Sequence, residues 1–266
     1  MRKLSMALLA GVALVGCGGP EASESRIPTF EEFQAEAIQD EGNVFVVNGD
    51  EAVEGVEGLR AYYDNFVANG DVGTNQGELA VYYIGGDIKW SSTTARNLTY
   101  CVSKTSFGSR YNTVVSAMNS AAAAWEATAN VNFVHSSGYD SNCTASQSGV
   151  VFDVRQTSTT SYLARAFFPN SSRSARNVLI STSAFGNVSP WTLTGILRHE
   201  LGHALGFRHE HTRSTSSGCY EDSQWRALTS TYDRASVMHY PQCNGTQTGD
   251  LVLTSLDKSG ARSLYP

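Results

Sequence analysis

The chain has 266 residues, 41% hydrophobic and 17% charged, with a formal charge of −6. That length suits one good-sized domain plus a smaller segment. The acidic balance offers no field for nucleic acid, and it is too mild to indicate disorder.

At the start, Arg2 and Lys3 precede an apolar run over 6–15 that is too short to span a bilayer, so residues 1–16 read as an export signal. Leu14-Val15-Gly16-Cys17 resembles a bacterial lipobox, which implies acylation of Cys17 and anchoring to a membrane, by analogy the outer one. Residues 18–25 are a small, polar tether. A helix is expected over 30–39 and a strand over 44–47 that ends in the turn Asn48-Gly49-Asp50. A second helix is expected over 59–67, then a glycine-rich loop over 69–77. Residues 98–103 alternate like a strand, and Val114, Met118, Ala121 and Trp125 recur at helical spacing within 111–129. Further strands are expected over 131–135, 150–154, 164–168 and 178–181, and a last helix over 255–263.

The most informative stretch is His199-Glu200-Leu201-Gly202-His203-Ala204-Leu205-Gly206-Phe207-Arg208-His209. Histidines four apart share one helix face and can converge on one metal. A straight helix would carry His209 away, but Gly206 can end the helix in a left-handed conformation and turn the chain back. Three neutral imidazoles leave a tetrahedral zinc one open position for water, and Glu200 can reach that water as general base. Ser189 and Pro190 suit the N-cap and first position of this helix. Leu193, Leu197, Leu201 and Ala204 form its apolar face.

This long histidine motif resembles that of the metzincin zinc endopeptidases. Ser236-Val237-Met238-His239-Tyr240-Pro241 is similar to the Met-turn of the astacin branch, and Glu210 matches astacins too. The chain from about residue 29 resembles still more the dual-action HEIGH metallopeptidases, a secreted or surface bacterial family. The resemblance implies an α+β fold: a mixed twisted sheet, two long helices above the cleft and a small C-terminal subdomain. It implies one catalytic zinc on His199, His203 and His209. Tyr240 is implied as a further resting ligand that later helps stabilise the oxyanion, and Met238 as the residue beneath the ligands. An edge strand before the zinc helix would pair with substrate, for which residues 164–168 are the candidate.

The implied organisation is a signal over 1–16, tether and propeptide over 17–88, and catalytic domain over 89–266. No cysteine lies between residues 18 and 88, so a cysteine cannot block the zinc. Astacin propeptides use an aspartate in an F-x-G-D element. Asp87 in Gly85-Gly86-Asp87 resembles it, Asp50 is a second candidate, and each also reads as a turn aspartate. With Cys17 lipidated, four cysteines remain. Three pairings are possible, and Cys101–Cys143 with Cys219–Cys243 is the expected one. The expected partners are protein or peptide substrates and the membrane, with the chain a monomer. Cleavage near 84–98 would free the catalytic part from its anchor.

Overall fold

The computed structural model describes residues 27–68, 79–212, 225–247 and 249–266. Cys17, Cys219 and the whole of the loop expected over 69–77 lie outside the described residues. No described helix is long and apolar enough to cross a membrane.

The larger body is built on a five-stranded mixed sheet. Strands β5 (Leu98–Val102), β6 (Phe133–His135), β7 (Phe152–Thr157) and β9 (Asn177–Ser181) are parallel, in the order β6-β5-β7-β9. β8 (Ala164–Arg165) adds at the edge, antiparallel to β9. Two long helices, α5 (Tyr111–Glu126) and α6 (Leu193–Leu205), pack together on this sheet. Short helices α3 (Ser92–Ala95) and α4 (Lys104–Phe107) lead into and out of β5. Val114, Met118, Ala121 and Trp125 are buried, as their spacing requires. The Trp125 indole reaches α6, donating to Arg198 O at 2.9 Å. At the C-terminus, α7 (Ser255–Leu264) starts at a capping box between Thr254 and Asp257. The Asp257 carboxylate also accepts from the Ser236 hydroxyl and Val237 N–H, at 2.6 and 2.9 Å, which fixes the loop that carries Met238 and Tyr240.

A smaller N-terminal unit has its own core of Phe30, Phe45, Val47, Leu59 and Tyr62. Helix α1 (Phe30–Glu36) begins at Thr29, whose capping box with Glu32 fixes the start. It ends before the expected residue 39, because residues 38–40 form β1 (Ile38–Asp40) against β2 (Val44–Val47). β3 (Glu51–Glu54) completes the antiparallel sheet, and α2 (Gly55–Tyr62) runs on into a wider π-helical turn over Tyr63–Val67. Val46 packs on Tyr162 and Leu179, and Val44 and Ala52 on Ala175, so this unit lies across the larger sheet.

Residues just before the expected boundary at residue 88 also pack on the larger body. β4 (Ala80–Tyr82) pairs with β10 (Trp225–Ala227), and Leu79 and Val81 belong to the main core. Expected strand 164–168 is regular only at β8. The Cys101–Cys143 disulfide is present and closes a loop of 42 residues; Cys243 is also disulfide-bonded. Replacing both Cys101 and Cys143 with serine should lower unfolding free energy by about 4 kcal/mol, read as a shift in denaturant midpoint.

Candidate metal centre

Helix α6 delivers two of the imidazoles. Its N-cap is Thr192, whose hydroxyl accepts from Gly195 N at 3.0 Å, three residues past the expected Ser189. Pro190 instead sits in the preceding turn, where Trp191 N donates to Val188 O. At the other end, Gly206 has φ 103°, and a Cβ there would meet Ile88 O at 2.2 Å. Glycine is therefore required for both conformation and space. The turn returns the chain so that His209 faces α6.

The ring nitrogens converge. His199 Nε2 lies 3.2 Å from His203 Nε2 and 3.3 Å from His209 Nε2. Four donors at about 2.0–2.1 Å from one tetrahedral ion are separated by about 3.3–3.4 Å, so these spacings fit zinc. The outward nitrogens are tied down: His199 Nδ1 donates to Val237 O and His203 Nδ1 to Phe207 O, each at 2.8 Å. That tautomer turns both Nε2 lone pairs inward. Burial lowers the pKa of His199 and His203, which keeps them neutral as ligands must be.

The fourth corner belongs to Asp50. Its Oδ2 lies 3.3 Å from His199 Nε2, and its Oδ1 lies 3.4 and 3.0 Å from His203 and His209 Nε2. Together Asp50, His199, His203 and His209 form a buried set suited to one metal ion. Asp50 Oδ1 makes no hydrogen bond among the described residues, although it is buried. A carboxylate oxygen aimed at bare nitrogen lone pairs is repulsive unless a cation lies between them, so the donors fit the metal that the motif requires.

Asp50 is held by its turn. Asn48 and Gly49 have φ 52° and 95°, and a Cβ on Gly49 would lie 2.8 Å from the Tyr240 hydroxyl. Tyr240 donates that hydroxyl to Asp50 Oδ2 at 2.5 Å and packs its ring 4.4 Å from that of His209. The next residue, Glu51, forms a fully buried pair with Arg208 at 2.6 Å and bridges in parallel to Ala166 beside β8. The N-terminal unit thus occupies the edge where a substrate backbone was expected.

Asp87, the first candidate for the blocking role, lies elsewhere. It closes a hairpin with Tyr83 and receives both Arg226 Nε and Nη2, at 2.7 and 2.6 Å. Its Gly-Gly-Asp context reflects a turn, in which Gly85 has φ 66°. In sequence the two Gly-Asp steps are alike; a buried acidic neighbour matched to Arg208 distinguishes Asp50, and only folding reveals it.

Glu200 is 2% exposed, and its Oε2 has no hydrogen-bond partner among the described residues. Burial and then the charge of Asp50 push its carboxyl well above the ordinary range. Met238 lies beneath the helix: a Cβ on Gly202 would fall 2.4 Å from its Sδ. A cavity of about 250 Å³ opens beside Asp50, His199 and Glu200, with Trp191, Ile196, Pro241 and Leu251 on its walls. Those apolar walls were not singled out in the sequence. His135 binds Asp140 at 3.1 Å and stacks on Tyr100, as a structural residue.

Residues 89–224 match the family model of the matrixins, Peptidase_M10. The embryonic protein UVS.2 of Xenopus laevis is 35% identical over 74 residues, which is 22% of this chain and 14% of that protein. High choriolytic enzyme 1 of Oryzias latipes is 37% identical over 62 residues, 18% of this chain and 23% of that one. The chain thus spans less than a quarter of these relatives. Among solved structures, myroilysin aligns at TM-score 0.48 and 19% identity, over 70% of this chain and 98% of that one. The choriolytic enzyme, described as a hatching enzyme zinc-protease, aligns at 0.43 and 20%, over 66% and 96%.

Gly206→Ala tests the turn. It should cost about 1–3 kcal/mol in unfolding free energy and lower zinc per chain, because His209 is displaced.

Proposed function

The chain belongs to the matrixin family of zinc metalloendopeptidases, and from that premise we propose that it is an exported protease made as a latent precursor. The observation that carries this reading is the buried Asp50 carboxylate closing the corner left by three histidines. His199, His203 and His209 would hold the zinc, which when bound would lower the pKa of a water to about 7 and polarise the scissile carbonyl. Glu200, beside that corner, takes the proton of the attacking water and passes it to the leaving amine. Once Asp50 leaves, the Tyr240 hydroxyl can donate to the oxyanion of the substrate in place of the Asp50 carboxylate. Met238 serves as the Met-turn residue beneath the ligands, which is the role its contact with Gly202 supports. A substrate backbone lies along β8, and the cavity walled by Trp191, Ile196 and Leu251 takes an apolar side chain.

Residues 17–68 form the anchor and the inhibitory unit. Lipid on Cys17 holds the precursor at a bacterial membrane, in keeping with the resemblance to the HEIGH metallopeptidases. A cut N-terminal to Leu79 releases the unit while leaving β4 in the core, which a cut within 84–98 would not do cleanly.

Glu200→Ala should keep one zinc per processed chain and lose peptide hydrolysis by about a hundredfold or more. Retained hydrolysis with bound zinc, or full activity after chelation, overturns the mechanism. Asp50→Ala should make the unprocessed precursor cut a peptide reporter, with zinc content unchanged. A precursor as silent as the parent removes Asp50 from the blocking role.

A further inference from the structure

Away from the histidines, the N-terminal unit sets two neighbouring carboxylates onto the larger sheet. Asp40 ends β1, and Glu41 follows it in a turn completed by Gly42 and Asn43, with φ values of 67° and 61°. Asp40 Oδ2 accepts from Arg165 Nε at 2.7 Å and from the Tyr162 hydroxyl at 2.5 Å. Arg155 Nη2 donates to Glu41 Oε1.

The two arginines are also held by groups of the larger body. Arg165 Nη1 donates to Asn177 Oδ1 at 2.6 Å, and the Asn177 amide is tied to Ser174 O at 2.9 Å. Arg155 Nε donates to the buried Asp153 carboxylate at 2.5 Å, whose other oxygen accepts from Arg173 Nη1 at 2.7 Å. Each of the two arginines therefore spends one N–H donor on its own scaffold and turns another toward Asp40 or Glu41. Arg165 Nη2 has no hydrogen-bond partner among the described residues. With Asp40 and Glu41 gone, Arg155 and Arg173 would keep the Asp153 carboxylate between them, and Arg165 would keep the Asn177 side chain. The result is a fixed cationic patch over an apolar floor of Tyr162 and Leu179. Preplaced guanidinium forks bind carboxylates with little further ordering. The patch is continuous with the catalytic cleft, because Tyr162, Leu163 and Ala164 line the cavity that reaches His199 and Glu200.

We propose that this patch is a substrate subsite for acidic segments. Two neighbouring carboxylates of a protein substrate take the places of Asp40 and Glu41 on Arg165, Tyr162 and Arg155. The inference rests on the release of the N-terminal unit put forward above, and it adds a preference that the zinc site alone does not set.

The test uses the processed chain and a fluorescent, end-capped peptide of sequence Ile38-Gln39-Asp40-Glu41-Gly42-Asn43. A second peptide carries Asn and Gln in place of the acids. The acidic peptide should bind about tenfold tighter or more by anisotropy, with the margin shrinking as salt rises. Arg155→Gln and Arg165→Gln should each erase most of that margin. Arg155 is partly exposed, so its variant carries the test if the Arg165 variant fails to fold by circular dichroism. Cleavage sites mapped by mass spectrometry in a proteome digest should be enriched in Asp or Glu at one fixed distance from the cut, and Arg155→Gln should flatten that enrichment. Equal binding of the two peptides, or acidic binding that survives both substitutions, overturns the subsite. So does cleavage with no acidic enrichment, which would assign the patch to holding the N-terminal unit alone. A chain that cuts a neutral reporter without acidic preference loses only this inference. A chain that binds the acidic peptide through Arg155 and cuts nothing counts against the protease reading, not against the patch.

Discussion

Three imidazole nitrogens aimed at a single point repel one another, and the fold exists to hold them there until a cation relieves the repulsion. Each constraint around them serves that end. The carbonyls of Val237 and Phe207 take the outward protons of His199 and His203, so neither ring can rotate away without leaving a buried donor unpaired. Gly206 lets the chain reverse within one residue of the helix end. The Asp257 carboxylate, fixed at the start of α7, holds the loop whose Val237 carbonyl completes the set. The parallel sheet and α5 carry this weight through Trp125, which is packed between the two long helices and stacked on Phe207.

The same constraint explains the N-terminal unit. A site shaped for a cation and one further oxygen will accept any carboxylate presented at the right place. The chain supplies one from its own β2–β3 turn. Gly49 allows the approach, since a side chain there would collide with Tyr240. The carboxylate therefore takes the phenol's hydrogen bond as well as the fourth corner, which is how one group would silence two in the precursor proposed above.

Much of this was legible before folding. The histidine spacing, with Gly206 between the second and third ligands, specifies the metal set, because ligand geometry is local to one helix and one turn. Val114 through Trp125 marked α5 for the same reason. What could not be read was non-local. Asp50 and Asp87 both follow glycine in a turn, and their difference lies in Arg226 and Arg208, more than a hundred residues downstream. The end of α1 was missed because pairing with β2 captures residues 38–40 from the helix. The N-cap moved to Thr192 because that hydroxyl, not Ser189, reaches a free N–H of the first turn. Leu79 and Val81 read as part of the leading segment, and they lie in the main core cluster.

The described contacts between the two units include several ion pairs. The apolar contacts are small clusters around Val44, Val46 and Ala52, while Asp40, Glu41, Glu51 and Glu54 reach across to Arg165, Arg155, Arg208 and Ser172. Ion pairs of this kind fix register more than they add net stability, since desolvation offsets much of their attraction. While the chain is intact, the covalent link between the units keeps the local concentration of the N-terminal one high, and modest contacts suffice. In the precursor proposed above, one cut would remove that advantage, and the charged groups could then be satisfied equally by water. A large apolar seam would stay shut after the same cut. A seam of carboxylates on arginines would let go, and it would leave behind guanidiniums already arranged for the acidic segment of a substrate.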